Sequence, residues 1–397
     1  MHPLAEKISD PLAIELQNIL NYWAKNSIDE VNDGFLGERD FFNKIVPNAS
    51  KGIILNSRIL WSFSAASNHF NSNKYKSVCD RSYEYLTTFF KDETYCGVYW
   101  ELNSEGKPIN RRKQVYAQAF MIYALSEYYM FSKNNNALDW AIDIFNLIEK
   151  HANDKVNKGY IEAFNEDWTP IEDMRLSDKD ANEAKTMNTH LHILEAYTNL
   201  YKVYPKAKLK KRLAELIQLF LDKFLTTQNH LNLFFDEQWN LKSNIISYGH
   251  DIETAWLLIE AAKVIKNEKL LQETKRVAVL IADTFVEEGV DTDGGVFNDY
   301  NPKTKKLDGD KHWWPQAEAL VGLKYAYEIT KDEKYLQKSL AILNFIQKNI
   351  IDKTNGEWFW SVDKNRNVCT SDYKMGMWKA PYHNSRACMI LNKNISI

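Results

Sequence analysis

The chain has 397 residues and a mass of 46.4 kDa, and its 45% hydrophobic and 26% charged residues are typical of a globular protein with a substantial core. A formal net charge of -3 and an isoelectric point near 6.3 give no reason to expect nucleic-acid or membrane partners. No apolar run reaches transmembrane length, and the first residues lack a signal-peptide pattern, so we expect a cytoplasmic protein. The four cysteines show no Cys-x-x-Cys spacing, which argues against a disulfide framework or a zinc site.

A short segment in which aromatic residues accompany glycine or asparagine recurs along the chain. The six copies begin at Gly34, Gly97, Gly159, Asn232, Gly295 and Gly356, and successive starts lie 63, 62, 73, 63 and 61 residues apart. Such even spacing indicates an internal repeat, in which each unit is one supersecondary structure packed on its neighbours. We expect each segment to form a short strand or hairpin.

Each repeat places one helix before this segment and a second helix after it. The first kind is amphipathic and is predicted at residues 11–25, 78–91, 137–151, 209–226, 269–288 and 334–348. The second kind is apolar on nearly all sides, hence buried, and is predicted at residues 51–69, 114–131, 187–204, 247–265, 313–329 and 382–392. Six outer helices alternating with six inner ones predict an all-α fold, an (α/α)6 barrel with short β-hairpins between its helices. No flexible linker interrupts the series, so we expect one catalytic domain over residues 1–397.

Polar residues occupy equivalent positions near the start of the inner helices. Alignment of the six apolar runs gives the set Arg58, Gln118, His192, Glu253, Glu318 and Arg386. Asn188, His250 and His383 lie three or four residues before members of this set, on the same helical face. We expect all of these side chains to converge at one end of the barrel axis. His250 and Glu253, three residues apart, are expected to be in contact.

The other histidines are expected elsewhere. His2, His69, His151 and His230 fall at helix ends or in polar loops, so we expect them to be solvated. His190 is two residues from His192 and therefore points in another direction, which suits a supporting role. His312 precedes a pair of tryptophans and is expected at the rim of the site.

Three chemistries suit a ring of histidines, arginines and carboxylates. A metal site would use the histidines, but no His-Glu-x-x-His or comparable spacing supports one, so we expect no metal. An inverting glycosidase would need two carboxylates, for which Glu253 and Glu318 are candidates, with Asp180 and Asp251 nearby. Arg386 and Glu318 also suit a purely structural ion pair.

The third chemistry is proton transfer at a carbon next to a carbonyl group. Histidines on opposite sides of a sugar suit it, because a neutral imidazole removes a proton and a protonated one returns it near neutral pH. Trp313, Trp314 and Trp378 would then stack on pyranose rings. Arg58 would bind sugar oxygens and stabilise an enediolate.

At these positions the sequence resembles the N-acylglucosamine 2-epimerase superfamily, and within it the cellobiose 2-epimerases. The likeness is carried by residues 187–195, 248–253, 313–318 and 381–386, together with Asn56, Ser57 and Arg58 near the N-terminus. It spans the whole chain in register with the repeat. The Trp-Trp-Pro-Gln-Ala-Glu stretch at 313–318 favours the disaccharide epimerases over the N-acylglucosamine branch.

The resemblance implies a cofactor-independent epimerase that acts at C2 of the reducing-end glucose of β-1,4-linked disaccharides. Cellobiose would become glucosyl-mannose and lactose would become epilactose. The catalytic residues implied are His250 and His383 as the acid–base pair, Glu253 tuning His250, and His192 assisting ring opening. The implied sugar contacts are Arg58, Tyr116, Asp180 and Asn188, with Trp314 and Trp378 as stacking platforms. We add Glu318 and Arg386 as expected sugar contacts because they belong to the aligned set of polar residues on the inner helices.

Alternatives remain open at this point. The same histidines would serve an aldose–ketose isomerase of the mannose–fructose type, and the same barrel would serve an inverting glycoside hydrolase or a non-catalytic sugar-binding protein. A small disaccharide is the only partner expected, with no nucleic acid and no membrane. No outer-helix stripe looks unpaired, so we expect a monomer.

Overall fold

The computed structural model describes residues 3–392 and consists mainly of α-helices. The outer layer contains α1 Pro3–Asn26, α3 Lys76–Tyr85, α5 Asn135–Leu147, α7 Ala207–Leu219, α9 Glu268–Glu288 and α11 Lys334–Phe345. The inner layer contains α2 Ile53–Phe70, α4 Val115–Ser132, α6 Met187–Val203, α8 Tyr248–Val264, α10 Trp313–Thr330 and α12 Tyr382–Asn392. Helices α3, α5, α7 and α11 continue into π-helical turns at Leu86–Phe90, Ile148–Ala152, Phe220–Phe224 and Ile346–Ile350.

The six inner helices form a closed ring. Each contacts the next inner helix along the chain, α12 returns to contact α2, and each also packs on an outer helix. Two reciprocal hydrogen bonds join the first and last repeats: Trp23 Nε1 donates to Glu357 Oε2 (2.5 Å), and Trp358 Nε1 donates to Glu15 Oε1 (2.7 Å). The architecture is the (α/α)6 barrel that the repeat predicts.

The two layers differ in burial as their sequences predict. In α4 every residue from Val115 to Ser126 is buried. In α5 the buried residues are Ala137, Trp140, Ala141, Ile144 and Phe145, which recur every three or four positions and form a single stripe. Removal of these apolar surfaces from water is the main force that assembles the barrel.

Helix α1 begins earlier than predicted. The prediction placed its start at Pro11, but the helix begins at Pro3 and contains Pro11. The apolar period explains the difference, since Ile8, Leu12 and Leu16 form one buried face that runs past the proline. Packing of this face outweighs the backbone hydrogen bond that Pro11 removes.

Short strands connect consecutive repeats around the N-terminal ends of the inner helices. They are β1 Lys51–Gly52, β2 Glu101–Leu102, β3 Pro108–Asn110, β4 Lys113–Gln114, β5 Ala163–Phe164, β6 Lys185–Thr186, β7 Phe234–Phe235, β8 Ile246–Ser247, β9 Asp299–Asn301, β10 Lys306–Asp308, β11 Lys311–His312 and β12 Ser361–Val362. Strands β1, β4, β6, β8 and β11 lead directly into inner helices, and each pairs antiparallel with a strand of the following repeat. Strands β3 and β10 extend two of these pairs into three-stranded sheets.

Each glycine–aromatic segment folds back on the end of the preceding outer helix through one antiparallel bridge. The six bridges are Ile28–Phe35, Lys91–Val98, Asn153–Tyr160, Leu225–Leu231, Val290–Val296 and Ile351–Trp358. In the fourth repeat the bridge uses Leu231, so the prediction that this segment begins at Asn232 is wrong by about two residues. His230 therefore takes the place that glycine has in most other repeats.

A buried lysine precedes most inner helices and pairs with an acidic residue that follows the outer helix. The pairs are Lys51–Asp29 (2.8 Å), Lys113–Asp92 (2.5 Å), Lys185–Asp154 (2.7 Å), Lys311–Asp291 (2.9 Å) and, in the sixth repeat, Lys374–Asp352 (2.6 Å) and Lys379–Glu357 (3.0 Å). The fourth repeat has Ile246 in place of the lysine. Its charge pair is His230 with Asp251 (2.8 Å), so this repeat is anchored differently.

No helix within residues 3–392 combines the length and the apolar content that a membrane crossing requires.

Candidate active site

The N-terminal ends of α6, α8 and α10 border a cavity of about 260 Å³. Its lining includes Asp180, Asn188, His250 and Trp314. All four are among the predicted site residues, which come from three repeats and lie far apart in the sequence. The barrel therefore brings them to one place.

His250 lies in the first turn of α8, and its Nδ1 atom is 2.8 Å from Ser247 Oγ. Ser247 precedes the helix and makes no side-chain cap of its own, so its hydroxyl is free to pair with this imidazole. Burial lowers the pKa of His250 to about 3, with a smaller contribution from the nearby His192. The imidazole is therefore neutral near pH 7 and available as a base.

His383 lies in the first turn of α12, and its Nδ1 atom is 2.7 Å from Glu318 Oε1. Burial lowers the pKa of His383 well below its ordinary value, and the Arg58 and Arg386 guanidinium groups act in the same direction. When Glu318 is ionised it only accepts hydrogen bonds, so this contact then places the ring proton on Nδ1 and leaves Nε2 unprotonated. His383 is thus a second neutral base.

The indole of Trp314 contacts both histidines. Its ring centroid lies 4.8 Å from that of His250 and 5.6 Å from that of His383. Gly249 allows this approach, since a Cβ atom there would lie 2.5 Å from the Trp314 ring. The two neutral imidazoles are therefore grouped around one aromatic surface, which suits a sugar ring held between proton-transfer groups.

Arg386 is the centre of the buried charge cluster. Its Nη2 atom donates to Glu253 Oε1 (2.6 Å) and to Glu318 Oε1 (2.7 Å), and its Nη1 atom donates to Glu195 and to the Tyr382 hydroxyl. Arg386 is only 2% exposed. Through these contacts both Arg386 and Glu318 position their neighbours, as Glu318 does for His383, and their expected contact with substrate stays a prediction.

The carboxylates around Arg386 have unequal proton affinities. Burial opposes ionisation of Glu195, but the charge of Arg386 and the hydrogen bond to His192 outweigh it and lower the pKa to about 2. Burial and the like charge of Glu318 raise the pKa of Glu253 to about 7. Burial also raises the pKa of Glu318, although Arg386 opposes this. One guanidinium cannot fully balance three buried carboxylates, so the cluster retains a proton.

The expected contact between His250 and Glu253 is wrong. Glu253 turns toward Arg386, and Ser247 takes the position at His250 Nδ1. Three-residue spacing places two side chains on one face, but a guanidinium in the barrel centre attracts the carboxylate more strongly than a neutral imidazole does. The histidine–glutamate pair of this spacing is found one repeat earlier, where His192 Nδ1 lies 2.9 Å from Glu195 Oε2.

Glu253, Glu318 and His383 each offer an atom within 4.8 Å of the others, a separation that would fit a metal ion. The guanidinium of Arg386 already binds both carboxylates there. Because a cation of the protein fills the anionic position, the residues do not fit a metal.

Arg58, Tyr116 and His192 form the side of the site on α2, α4 and α6. Arg58 Nη2 donates to the Tyr116 hydroxyl (2.9 Å), and the Tyr116 ring lies 4.9 Å from that of His192. The Arg58 guanidinium also lies 4.5 Å from the Phe120 ring, and the Phe120 ring is 4.7 Å from that of His192. These contacts hold Arg58 over aromatic surface, where its charge is only weakly hydrated.

The assignment of Gln118 to the ring of polar residues is wrong. Its side chain accepts from Val98 N (3.0 Å) and donates to Val98 O (3.0 Å), which fixes the glycine–aromatic segment. Phe120, two residues later, occupies the equivalent of His192 and Glu253. Gln316 binds Val296 in the same way, so this glutamine position is part of the scaffold.

The three tryptophans take different positions. Trp378 lies 6.0 Å from the Tyr116 ring, and its carbonyl accepts from Arg58 Nη1 (3.1 Å). Trp314 lines the cavity. Trp313 is 3% exposed and packs against Trp360 at 4.6 Å, so the expectation that it stacks on a sugar is wrong. Adjacent helical residues point about 100° apart, which explains why only one of the pair faces the cavity.

Asp180 and Asn188 lie at the wall of the cavity. Asp180 Oδ2 accepts from the Ser177 amide (2.9 Å) and hydroxyl (2.8 Å), which orders its loop. Asn188 Oδ1 is buried and has no hydrogen-bond partner among the described residues. Both line the cavity, and their role as sugar contacts stays a prediction.

His230 is not solvated, contrary to expectation. It is 5% exposed, and its Nδ1 atom lies 2.8 Å from Asp251 while its Nε2 atom lies 3.2 Å from Glu288. His190 binds the Tyr160 amide through Nε2 (2.9 Å), which supports the loop beside the site. His2 lies outside the described residues.

Sequence reasoning missed Glu195, Ser247, Tyr382 and Glu162. Glu195 and Ser247 each lie three residues from a candidate histidine, a spacing that would have indicated both. Glu162 has no such signal: it lies in a loop, its buried carboxylate accepts from the Thr186 and Thr189 hydroxyls, and burial raises its pKa to about 7.

Comparison with known proteins assigns the family. The sequence model of N-acylglucosamine 2-epimerase (GlcNAc 2-epimerase) matches residues 34–387. The chain is 45% identical over 374 residues to a cellobiose 2-epimerase of Bacteroides fragilis, covering 94% of this chain and 95% of that one. It is 39% identical to a cellobiose 2-epimerase of Dictyoglomus turgidum, covering 95% and 96%.

A solved structure agrees over nearly the whole fold. The cellobiose 2-epimerase of Bacillus thermoamylovorans superposes with a TM-score of 0.92 at 37% identity, covering 97% of this chain and 100% of that one. The chain belongs to the N-acylglucosamine 2-epimerase family and is a carbohydrate epimerase of the isomerase class.

Proposed function

We propose that the protein is a disaccharide 2-epimerase that inverts C2 of a reducing-end glucose in β-1,4-linked disaccharides, converting cellobiose to glucosyl-mannose and lactose to epilactose. The observation that carries the proposal is the grouping of two buried, neutral imidazoles, His250 and His383, around the Trp314 indole. The relatives named cellobiose 2-epimerase support the choice of substrate.

Proton transfer at C2 follows from the state of the two histidines. One neutral imidazole removes the C2 proton and leaves a cis-enediolate. The opposite imidazole, which has taken up a proton from water before this step, gives that proton to C2 on the other face, and the first imidazole then releases its proton to water. Ser247 suits this exchange, because a hydroxyl both donates to a neutral Nδ1 and accepts from a protonated one. The roles reverse for the return reaction. No cofactor is needed, since the reaction moves only protons and the two imidazoles exchange theirs with water between turnovers.

The neighbouring residues provide the remaining steps. His192, backed by the ionised Glu195, assists opening of the sugar ring. Arg58 stabilises the negative charge that develops on the enediolate oxygens, because its guanidinium is held in a buried site. Asp180, Asn188 and Trp378 bind the sugar.

A glycoside hydrolase is the weaker alternative. An inverting hydrolase needs two carboxyl groups with a sugar and a water between them. Here Glu253 and Glu318 accept from the same nitrogen of Arg386 and are buried at 1% and 0% exposure. No substrate fits between them.

Proton NMR of the purified protein with cellobiose, and separately with lactose, in deuterated water tests the proposal. We expect a mannose-type anomeric signal with deuterium at C2. The variants His250→Ala and His383→Ala should each lower the rate at least roughly 100-fold, as loss of an acid–base group does. His151→Ala, a histidine at the end of an outer helix, serves as the matched control and should retain activity.

Other outcomes would refute it. Released glucose would indicate hydrolysis, and a ketose as the main product would indicate aldose–ketose isomerisation. Full activity in both the His250→Ala and His383→Ala proteins would exclude the two-histidine mechanism.

A further inference from the structure

His230 anchors the fourth repeat in place of the buried lysine that the other repeats use. It is 5% exposed, and its Nδ1 atom lies 2.8 Å from Asp251 Oδ2. The other oxygen of that carboxylate, Oδ1, accepts from the Leu231 amide (2.9 Å). One carboxylate, itself 2% exposed, thus holds both the imidazole and the segment that follows it.

Both ring nitrogens of His230 face a carboxylate. The second nitrogen, Nε2, lies 3.2 Å from Oε2 of Glu288, the last residue of α9. An ionised carboxylate only accepts hydrogen bonds, and a neutral imidazole has a single N–H group. Only the doubly protonated, positively charged ring therefore donates to Asp251 and Glu288 at once.

The charge of this anchor depends on pH more than that of the lysine anchors. The ordinary pKa of histidine is about 6.5, and that of lysine is about 10.4. Burial lowers the pKa of His230, but the hydrogen bonds and negative charges of Asp251 and Glu288 outweigh it and raise the pKa above its ordinary value. The charged ring therefore stabilises the fold fully below about pH 6.5 and loses this contribution as the pH rises through the raised pKa.

The groups that face the ring show what changes when its proton is lost. Asp251 and Tyr248 face it from α8, with the Tyr248 ring 6.2 Å away, and Glu288 faces it from α9. Burial raises the pKa of Tyr248, so this group stays neutral. Burial also raises the pKa of Asp251, although His230 opposes this. A neutral His230 would leave ionised Asp251 buried without a counter-charge, which is costly.

Asp251 is also the neighbour of His250 in the first turn of α8. Adjacent helical residues point about 100° apart, so Asp251 faces His230 while His250 faces the catalytic cavity. His250 Nδ1 is held by Ser247 Oγ at the start of the same turn. A shift of this turn therefore moves the His250 imidazole relative to a sugar in the cavity.

We propose that His230 is a pH-dependent positioning residue for His250. As a charged ring it ties Asp251 to Glu288 and fixes the first turn of α8. When it loses its proton, Asp251 loses its counter-charge and the turn moves. The effect on catalysis rests on the proposed function of His250, whereas the coupling between the two histidines does not.

NMR of the full-length protein with 15N-labelled histidine and no sugar tests the coupling without turnover. The His230 and His250 ring signals are identified by their absence from the His230→Gln and His250→Ala proteins. We expect the His230 ring to titrate with a midpoint above its ordinary pKa of about 6.5, and the His250 signal to shift with the same midpoint. A His250 signal that stays constant while His230 titrates would overturn the proposal, as would a His230 midpoint below about 6.5.

Glu288→Gln changes the anchor from its solvent side, where the Glu288 side chain is 49% exposed. Removal of this charge should lower both midpoints by roughly 0.2–0.7 pH units, the size expected for an exposed ion pair. Glu287→Gln makes the same change at the exposed preceding residue and should move the midpoints much less. If Glu288→Gln moves the His230 midpoint and leaves that of His250 in place, His250 senses another group and the proposal fails.

The pH profile of kcat with cellobiose gives the second readout. On the alkaline side kcat should fall, and this fall should move to lower pH in Glu288→Gln by the same interval as the NMR midpoint. His230→Gln, which keeps a donor but no charge, should lower kcat roughly tenfold near neutral pH, the effect of one charged hydrogen bond. An unmoved alkaline fall in Glu288→Gln would refute the link from His230 to catalysis. Absence of epimerisation in the wild-type protein would instead contradict the proposed function and leave the coupling seen by NMR intact.

Discussion

The buried carboxylates around Arg386 predict opposite effects of two equivalent substitutions. Glu253→Gln and Glu195→Gln each replace a buried carboxylate by an amide of the same shape. Burial raises the pKa of Glu253 from 4.5 to about 7, whereas the charge of Arg386 and its hydrogen bonds lower the pKa of Glu195 from 4.5 to about 2. Ionised Glu253 therefore destabilises the folded protein, whereas ionised Glu195 stabilises it.

The magnitudes follow from these pKa values. A change from 4.5 to about 7 corresponds to roughly 3 kcal/mol of unfavourable free energy for ionised Glu253, felt fully above pH 7 and relieved as the pH falls toward 4.5. Glu253→Gln should therefore stabilise the protein by up to roughly 3 kcal/mol at pH 8 and have little effect near pH 5. Glu195→Gln should destabilise by roughly 3 kcal/mol at pH 7, with the loss disappearing only as the pH falls from 4.5 toward 2.

Urea unfolding of the three proteins at pH 5, 6, 7 and 8 measures these differences. As the pH rises from 5 to 8, the free energy of unfolding of the wild-type protein should fall relative to that of Glu253→Gln. The difference in this free energy between the wild-type protein and Glu195→Gln should stay constant over the same range. If Glu253→Gln is instead less stable than the wild-type protein by the same amount at every pH, Glu253 is an ordinary ionised partner of Arg386 and the reasoning fails.

Three further predictions concern single contacts in the site and in the scaffold. Ser247→Ala should lower kcat roughly tenfold, because His250 loses one hydrogen bond, whereas Ser247→Thr should retain most of the activity. Equal kcat values for the wild-type protein and both variants would contradict this. Gly249→Ala places a Cβ atom 2.5 Å from the Trp314 ring, which must move away. Steady-state kinetics should show a raised KM, and thermal unfolding should show little change in melting temperature. An unchanged KM would show that the Trp314 ring does not contact sugar. Lys113→Met leaves Asp92 buried without its partner and should cost roughly 3–5 kcal/mol in urea unfolding, with Ile246→Met, at the repeat position that lacks the lysine, as a control expected to be nearly neutral.

The fold was predictable because it rests on patterns that recur. The 3.6-residue period, repeated six times with even spacing, fixes which helices are inner and which are outer. The exact register was harder to predict. Gln118 and Phe120 are both buried, and only the hydrogen bonds from Gln118 to Val98 show which of them faces the axis. In the fourth repeat, His230 replaces a glycine, and nothing in the local pattern indicates its buried pairing with Asp251.

The composition of the site was predictable, but its internal partners were not. His250, His383 and Trp314 lie together as the spacing suggests. The partner of each histidine depends on side-chain direction and on the strongest charge within reach, which periodicity does not report. Ser247, and not Glu253, therefore contacts His250. Arg386, on a helix more than 130 residues later, attracts the Glu253 carboxylate.

The position of Arg386 in the chain has a consequence for biosynthesis. Glu195, Glu253 and Glu318 leave the ribosome in that order, and α12 with Arg386 follows all of them. Until α12 emerges, the five earlier repeats carry three inward-facing carboxylates without the guanidinium that pairs with them in the folded barrel. Closure of the nascent barrel before α12 is made therefore gains little free energy. Helix α12 then adds Arg386, the second histidine and the surface that packs on α1 at the same time.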